Sequence, residues 1–360
     1  MNTKLNTSRL TLFALLIITS ALITFGAVSV SAGPQHWGSG YPYLIAIRQI
    51  DKTNNTLQAY ELPLRAKDAD WITRWTDRKG FKNCEVQFAA VGDFWAKDFG
   101  TEYLAAIVPS STSTYLWIFE APQVFGTYDW KIINKAKLRL PDNLKNGRII
   151  GAASGNLLRL KCDQLITAVQ TNTGVKIAVF VPPDNPKAAE WQASYTYDLP
   201  KLDGQFAGIA CGDFWGEKRE YIAVAVNIGN KTRVGFYETT DNTKLKLTVA
   251  DAAEIPKIAA TGLIAADWTK DGFDTLTFIP ADPKQRCQVR TAPLKPGMAK
   301  ASLGPVYNGK AMSRQWMPGA GGKSSKIVMT GTMPRLNSKR TILTAGRVFG
   351  YVNVTPTTAI

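Results

Sequence analysis

Short apolar runs rich in β-branched and aromatic residues alternate along the chain with clusters of Asn, Asp, Gly, Pro and Ser, a pattern that predicts strands joined by tight turns. One stretch organises the rest. Residues 88–108 read FAAVGDFWAKDFGTEYLAAIV: an apolar run climbs to a Gly-Asp turn, an acidic and polar loop follows, and a second apolar run begins at Tyr103. The device returns at 206–226 as FAGIACGDFWGEKREYIAVAV and at 262–279 as GLIAADWTKDGFDTLTFI. Weaker copies occupy 151–169 and 318–331. Near the start, Gln35, Trp37 and Gly38 fall where Asp213, Trp215 and Gly216 fall, and Tyr43 falls where Tyr221 does.

Aligning the turns gives anchors at Gln35, Asp93, Asn156, Asp213, Asp267 and roughly Gly321, spaced by 58, 63, 57, 54 and 54 residues. That period suits one four-stranded propeller blade per unit, with helix nearly absent. In the first unit the strands are expected at 44–50, 56–62, 71–75 and 86–91; in the second at 103–108, 115–119, 136–140 and 148–152. The third follows at 165–170, 175–181, 193–197 and 206–211, and the fourth at 221–227, 233–237, 244–249 and 262–266. Pro283, Pro293 and Pro296 make the fifth unit irregular, and its last strand, 314–317, is short. The sixth is truncated to 326–330, 340–345 and 349–354, while the first lacks a leading strand. An incomplete unit at each end predicts a ring closed by pairing terminal strands, which removes exposed sheet edges. The expected fold is therefore an all-β propeller of six blades, seven being the alternative, in one domain spanning 33–360.

Residues 1–32 stand apart. Lys4 and Arg9 precede an uncharged apolar run at 10–30, and Val30, Ser31 and Ala32 place small residues before a cut at Gly33, which is a signal-peptide pattern. The run is long enough to span a bilayer, so an uncleaved anchor is the alternative, and the membrane enters only in that case. Either way the remaining chain is expected outside the cytoplasm: secreted, periplasmic or at the cell surface.

The chain carries 43 Lys and Arg against 28 Asp and Glu, a formal charge of +15 that falls to +13 when the leader takes Lys4 and Arg9 with it. An excess of this size favours anionic partners such as acidic polysaccharide or cell-wall polymer, and it also serves solubility. The basic residues are spread rather than blocked, and export disfavours nucleic acid. Cys84, Cys162, Cys211 and Cys287 show no CxxC spacing and the chain has a single histidine, His36, which disfavours metal-thiolate or redox chemistry and leaves up to two disulfides open.

An apolar strand ending in Gly-Asp, a short acidic loop and a carboxylate just before the next apolar strand resemble the FG-GAP or VCBS-type repeat of integrin-like β-propellers. The resemblance covers nearly all of 33–360 at repeat level, with degenerate motifs. In that family some of these loops bind calcium, an ion that takes six to eight oxygen ligands. The resemblance implies calcium, if anywhere, at the loop offering Asp267, Thr269, Asp271 and Asp274, with Gly272 for the turn. Elsewhere the pattern erodes, because Trp95 and Trp215 take the third ligand position. The competing role is that Asp after Gly caps a turn through backbone N–H groups. Glu102, Asp163, Glu220 and Asp274 recur before the second strand, where Lys or Arg partners are expected.

Trp37, Trp95, Trp215 and Trp268 recur in the same loop. Trp95, Trp215 and Trp268 are candidate sugar-stacking residues, weighed against packing between blades, which large flat rings do well. Catalysis has thin support: a lone histidine gives no triad, and no nucleophile elbow or phosphate-binding glycine loop occurs. The function expected is an exported, non-catalytic binding or scaffold protein for a glycan, a cell-envelope polymer or a partner protein. Its alternatives are a polysaccharide lyase-like enzyme acting on an acidic polymer, using Tyr, Arg and Lys, and a propeller lectin.

Overall fold

A strand buried on both faces is apolar at nearly every position rather than at alternate ones. Residues 165–169 show why these runs read that way: Leu165 and Val169 face one neighbouring sheet, and Ile166 and Ala168 face the other. The computed structural model describes residues 43–49, 54–61, 72–76, 81–82, 84–95, 103–120, 131–200, 202–240, 244–248, 253–255, 257–267, 272–281, 288–293, 306–307 and 326–332. All of them belong to one compact unit, made of Tyr41–Pro122 and Thr127–Arg335.

Four sheets are built from strands consecutive in sequence. We number them as blades. Blade 2 contains Phe88–Gly92, Tyr103–Pro109, Thr114–Glu120 and Lys131–Arg139, in that order from first to outer strand. Blade 3 contains Arg148–Gly155, Gln164–Thr171, Gly174–Phe180 and Tyr195–Asp198. In blade 4 the strands are Gln205–Gly212, Tyr221–Ile228, Lys231–Thr240 and Lys244–Leu247, with Ala253–Ile255 also paired to the third. Blade 5 has Ala260–Ala266, Thr275–Pro280, Gln288–Arg290 and Val306–Tyr307. Within each blade the pairings are antiparallel meanders. Glu190–Gln192, from the long connection before the last strand of blade 3, adds a parallel edge strand to blade 2.

Blade 1 joins the first and the last described strands of the chain. Lys326–Thr332 pairs with Tyr43–Gln49, with Ile47 opposite Val328, and Asn54–Glu61 and Ile72–Thr76 follow. The first strands of the five blades touch one another in cyclic order, 2 to 3 to 4 to 5 to 1 and back to 2. The fold is a β-propeller whose ring is closed by a terminal strand, as the incomplete end units predict.

The blade count differs from the sequence expectation. Among the described residues there are five sheets, not six. The two incomplete end units are one blade, because Lys326–Thr332 is the strand before its turn rather than the strand after it. Its sequence KIVMTGT matches FAAVGD and GIACGD, with Gly331 in the glycine position, so the last anchor lies near Thr332 and not at Gly321. The frame also shifts by one strand: the last strand of each sequence unit becomes the first strand of the next sheet, as Phe88–Gly92 shows. The strands expected at 314–317, 340–345 and 349–354, and the leader at 1–32, lie outside the described residues.

Apolar side chains fill the gaps between blades. Ala105, Ile107, Leu116 and Ile118 of blade 2 pack with Leu165, Val169, Ala178 and Phe180 of blade 3. Blade 3 presents Ile166, Ala168, Ile177 and Val179 to Ile209, Ile222 and Val224 of blade 4. Blade 4 then offers Ala223, Ala225 and Phe236 to Leu263, Leu276 and Phe278 of blade 5.

Candidate functional site

The two ends of the first strands have different chemistry. At the end carrying the repeated turn, the carboxylate before the second strand of blades 3, 4 and 5 accepts a backbone N–H from the turn of the preceding blade. Asp163 takes the N–H of Asp93 at 2.8 Å, Glu220 that of Asn156 at 2.8 Å, and Asp274 that of Asp213 at 2.7 Å. In two of the three the backbone answers: the N–H of Asp163 donates to the Asp93 carbonyl at 2.9 Å, and that of Asp274 to the Asp213 carbonyl at 2.7 Å. Asp163, Glu220 and Asp274 therefore clamp blade to blade through backbone amides, and Glu102 lies outside the described residues. The glycine of each Gly-Asp turn follows from the clamp. A Cβ on Gly92, Gly155 or Gly212 would meet the next blade's carboxylate oxygen at 3.0, 2.1 or 2.7 Å, so only glycine leaves room for it.

The Asp at the anchor does a second job. Asp213 accepts the backbone N–H groups of Glu217 at 2.9 Å and Lys218 at 2.8 Å, and Asp267, 3% exposed, accepts that of Gly272 at 3.2 Å. Both are turn caps. Of the four calcium candidates, Asp267 and Asp274 stand at the two ends of one loop, while Thr269 and Asp271 lie outside the described residues. Among the described residues no group of three His, Cys, Asp or Glu is arranged around a metal position.

Trp95 and Trp215 pack between blades. The Trp95 indole N–H donates to the carbonyl of Pro183 at 2.7 Å, and its ring meets Tyr103 and Trp191 edge to face. The Trp215 indole N–H donates to the carbonyl of Pro293 at 2.6 Å, with Tyr221 and Phe236 edge to face. In each case the acceptor follows the third strand of the next blade. Trp268 lies outside the described residues. In blade 3 the same position holds Leu158.

Around Glu220 the clamp is strained electrostatically. Its carboxylate lies beside Gly155 and accepts the Cys211 thiol at 3.3 Å. Burial, then the Asp163 and Asp274 charges, push its pKa up to about 8. Burial and the neighbouring Glu220 hold the Cys211 thiol well above the ordinary range, so it is not a poised nucleophile. Cys84, Cys162 and Cys211 are unpaired by any disulfide, and Cys287 lies outside the described residues.

The opposite end, where the first strands begin, holds a cleft of about 850 Å³ spanning blades 2, 3 and 4. A volume of this size lies in the range of ligand-binding clefts, roughly 300–1,000 Å³. Phe88, Ile150, Val175, Leu199, Leu202 and Phe206 line it, all half-buried, and Gln87, Arg148, Gln170 and Gln205 supply polar groups. Gly151 lets the Phe206 ring lie across the blade boundary, since a Cβ there would meet that ring at 2.9 Å. Ile150 is set into the cleft wall by a register shift between Ala168 and Val169.

Why the cleft opens beside blade 3 is visible in one pair of residues. Between blades 4 and 5, Asn227 and Thr232 face each other across two strands and sew the next blade on. The Asn227 side chain donates to the Ala260 carbonyl at 2.8 Å and accepts the Ala260 N–H at 2.9 Å, while the Thr232 hydroxyl donates to the Ile258 carbonyl at 2.7 Å. The equivalent facing pair in blade 3 is Gln170 and Val175. Gln170 donates only to the adjacent Thr171 carbonyl, at 2.9 Å, and Val175 has no polar group to offer. Both line the cleft. Sequence reasoning missed this site because its signal is the absence of the Asn–Thr pair, an absence that blade 2 shares with Pro109 opposite Thr114 and that is legible only once the strand register is known.

The fold and this site define a β-propeller with a cleft at the strand-start end. Among solved structures, the WD40 domain of Toxoplasma gondii coronin is similar over 60% of this chain and 50% of that one, at 14% identity and a TM-score of 0.33. The match thus spans half the length of that domain, and at this distance it carries no argument. No family model and no curated protein matches the chain.

Proposed function

We propose that this protein is an exported, non-catalytic binding or scaffold propeller, and that the cleft at blades 2 to 4 receives its ligand, whether a partner protein, a glycan or a cell-envelope polymer. The observation that carries the reading is the concentration of half-buried apolar side chains in a cleft left unsewn between two blades. The integrin-like repeat type, resting on the Gly-Asp turns, and export, resting on residues 1–32, belong to the same proposal.

The non-catalytic reading is supported by the cleft's chemistry. A lyase needs a base and a charge-stabilising group converging on one substrate, and the described residues lining the cleft include Arg148 and Lys176 but neither Tyr nor His. Lys176 is held by Asp198.

A photo-cross-linking residue at Thr173, on the cleft rim, tests the reading against one at Lys187, away from it. In cells of the source, Thr173 is expected to give a discrete adduct that Lys187 does not, and mass spectrometry of the adduct separates protein from polysaccharide. No adduct specific to Thr173 would sink the proposal. Release of unsaturated product from an acidic polysaccharide, lost in Arg148→Ala, would replace it with the lyase.

A further inference from the structure

The cleft contains one charge that the protein does not use. Arg139, Arg219 and Arg233 each hold a carboxylate, on Glu190, Glu238 and Glu254. Arg290 bonds Gln288 at 2.7 Å. Within the cleft itself, Lys176 is held by Asp198 at 2.5 Å. Arg148, the first residue of its strand and paired with Gln170, lines the cleft, is exposed, and among the described residues its guanidinium has no hydrogen-bond or ion-pair partner.

Three physical facts then point the same way. A guanidinium at the edge of an apolar cleft binds a carboxylate, sulfonate or phosphate more strongly than one in open water, because the apolar wall lowers the local dielectric and the planar fork matches two oxygens. The wall offers ring and branched surfaces, Phe88, Ile150 and Phe206, to an apolar body. The whole chain carries +15, a field that draws anions towards it.

Resting on the binding role given above, we infer that the part of the ligand this cleft receives is an organic acid group on an apolar body, the acid group on Arg148 and the body against Phe88, Ile150 and Phe206. Gln205, also lining the cleft, supplies a side-chain amide for further oxygens, while the Gln87 amide already donates to the Ile149 carbonyl at 3.4 Å. The class of that group is set by charge complementarity with the one cation of the cleft that is unpaired among the described residues and by a volume suited to a group of that size.

Two probes that share one aromatic body and differ by one sulfonate test this: 1-anilinonaphthalene-8-sulfonate and N-phenyl-1-naphthylamine, titrated by fluorescence into the full chain. The sulfonate is expected to bind about ten-fold more tightly than the neutral probe, as one charge-assisted bond allows. That gap should close in Arg148→Gln, persist in Arg148→Lys and shrink as salt rises. Val175→Trp, which fills the cleft, should weaken both probes; where it does not fold, as judged by its thermal midpoint, Thr173→Trp on the rim replaces it. Equal binding of the two probes, both still blocked by the tryptophan, overturns the anion assignment and leaves the cleft a binding site. Binding of neither probe, or binding indifferent to the tryptophan, overturns the cleft itself. A sulfonate preference that survives Arg148→Gln places the anion elsewhere and also overturns the inference.

Discussion

The boundary between blades 4 and 5 and the boundary between blades 3 and 4 are built on one plan with different residues. At the first, Trp215 is stapled to the Pro293 carbonyl, Asp274 clamps Asp213, and Asn227 grips Ala260 from both sides. At the second, Leu158 takes the tryptophan's place, a Glu reaches a turn led by Asn, and Gln170 grips nothing on blade 4. Among the described residues no backbone bond answers between Glu220 and Asn156. The looser boundary is the one with the cleft. In this propeller the repeated motif marks what holds the ring together, and the binding chemistry lies where the repeat departs from itself.

Breaking the tight boundary should have the largest effect. Trp215→Ala removes a large side chain packed with three aromatic rings, and the expected loss is about 3–5 kcal/mol in denaturant unfolding. Trp215→Phe should lose less and isolate the Pro293 bond. A loss for Trp215→Ala no greater than for Leu158→Ala would show that the two boundaries are equally tight.

The loose boundary has a signature in pH. The Glu220 pKa is raised from its ordinary 4.5 to about 8, so the folded chain binds a proton that the unfolded chain releases in that window. The contribution is fully present below pH 4.5 and is lost as pH rises through about 8. Unfolding free energy should therefore fall from pH 5 towards pH 8, and Glu220→Gln, which keeps an acceptor for the Asn156 N–H, should flatten that slope. Parallel pH profiles for the two proteins would refute the assignment. Asn227→Ala comes next: it leaves the Ala260 carbonyl without the Asn227 amide and the Ala260 N–H with only the Thr232 hydroxyl, at 3.1 Å, at an expected cost of about 1–3 kcal/mol. Gln170→Ala should be near neutral in the same assay.

Much of this architecture is legible in the sequence, and the reasons are local. A strand buried on both faces writes itself as an unbroken apolar run, and the clamp writes Gly because a carboxylate occupies the space of a Cβ. The count of blades is not legible in the same way. An apolar run ending in glycine reads alike whether it precedes or follows a turn, and only pairing to Tyr43–Gln49 assigns Lys326–Thr332 to the first blade. The recurring tryptophans announce themselves because packing repeats with the fold. Arg148 does not, since an arginine becomes informative only when its neighbours are known to lack a carboxylate for it.

The smallest effect expected is that of calcium, and it bears on why two boundaries of one plan use acids at all. A site at Asp267, Thr269, Asp271 and Asp274 needs several oxygens free to turn towards one ion. Asp274 already accepts the Asp213 N–H, and Asp267 accepts that of Gly272, so an ion would compete with a clamp and a cap that both stabilise the ring. An ion bound only by the folded state raises the thermal midpoint with the logarithm of its concentration over its dissociation constant, and here the expected shift between excess calcium and chelator is within about 1 °C. A larger rise, abolished by Asp271→Ala and untouched by Asp213→Asn, would mean that the ion outcompetes the Gly272 cap. The acids of this loop would then be ligands first, and blade 5 would differ from blade 4 in chemistry as well as in sequence.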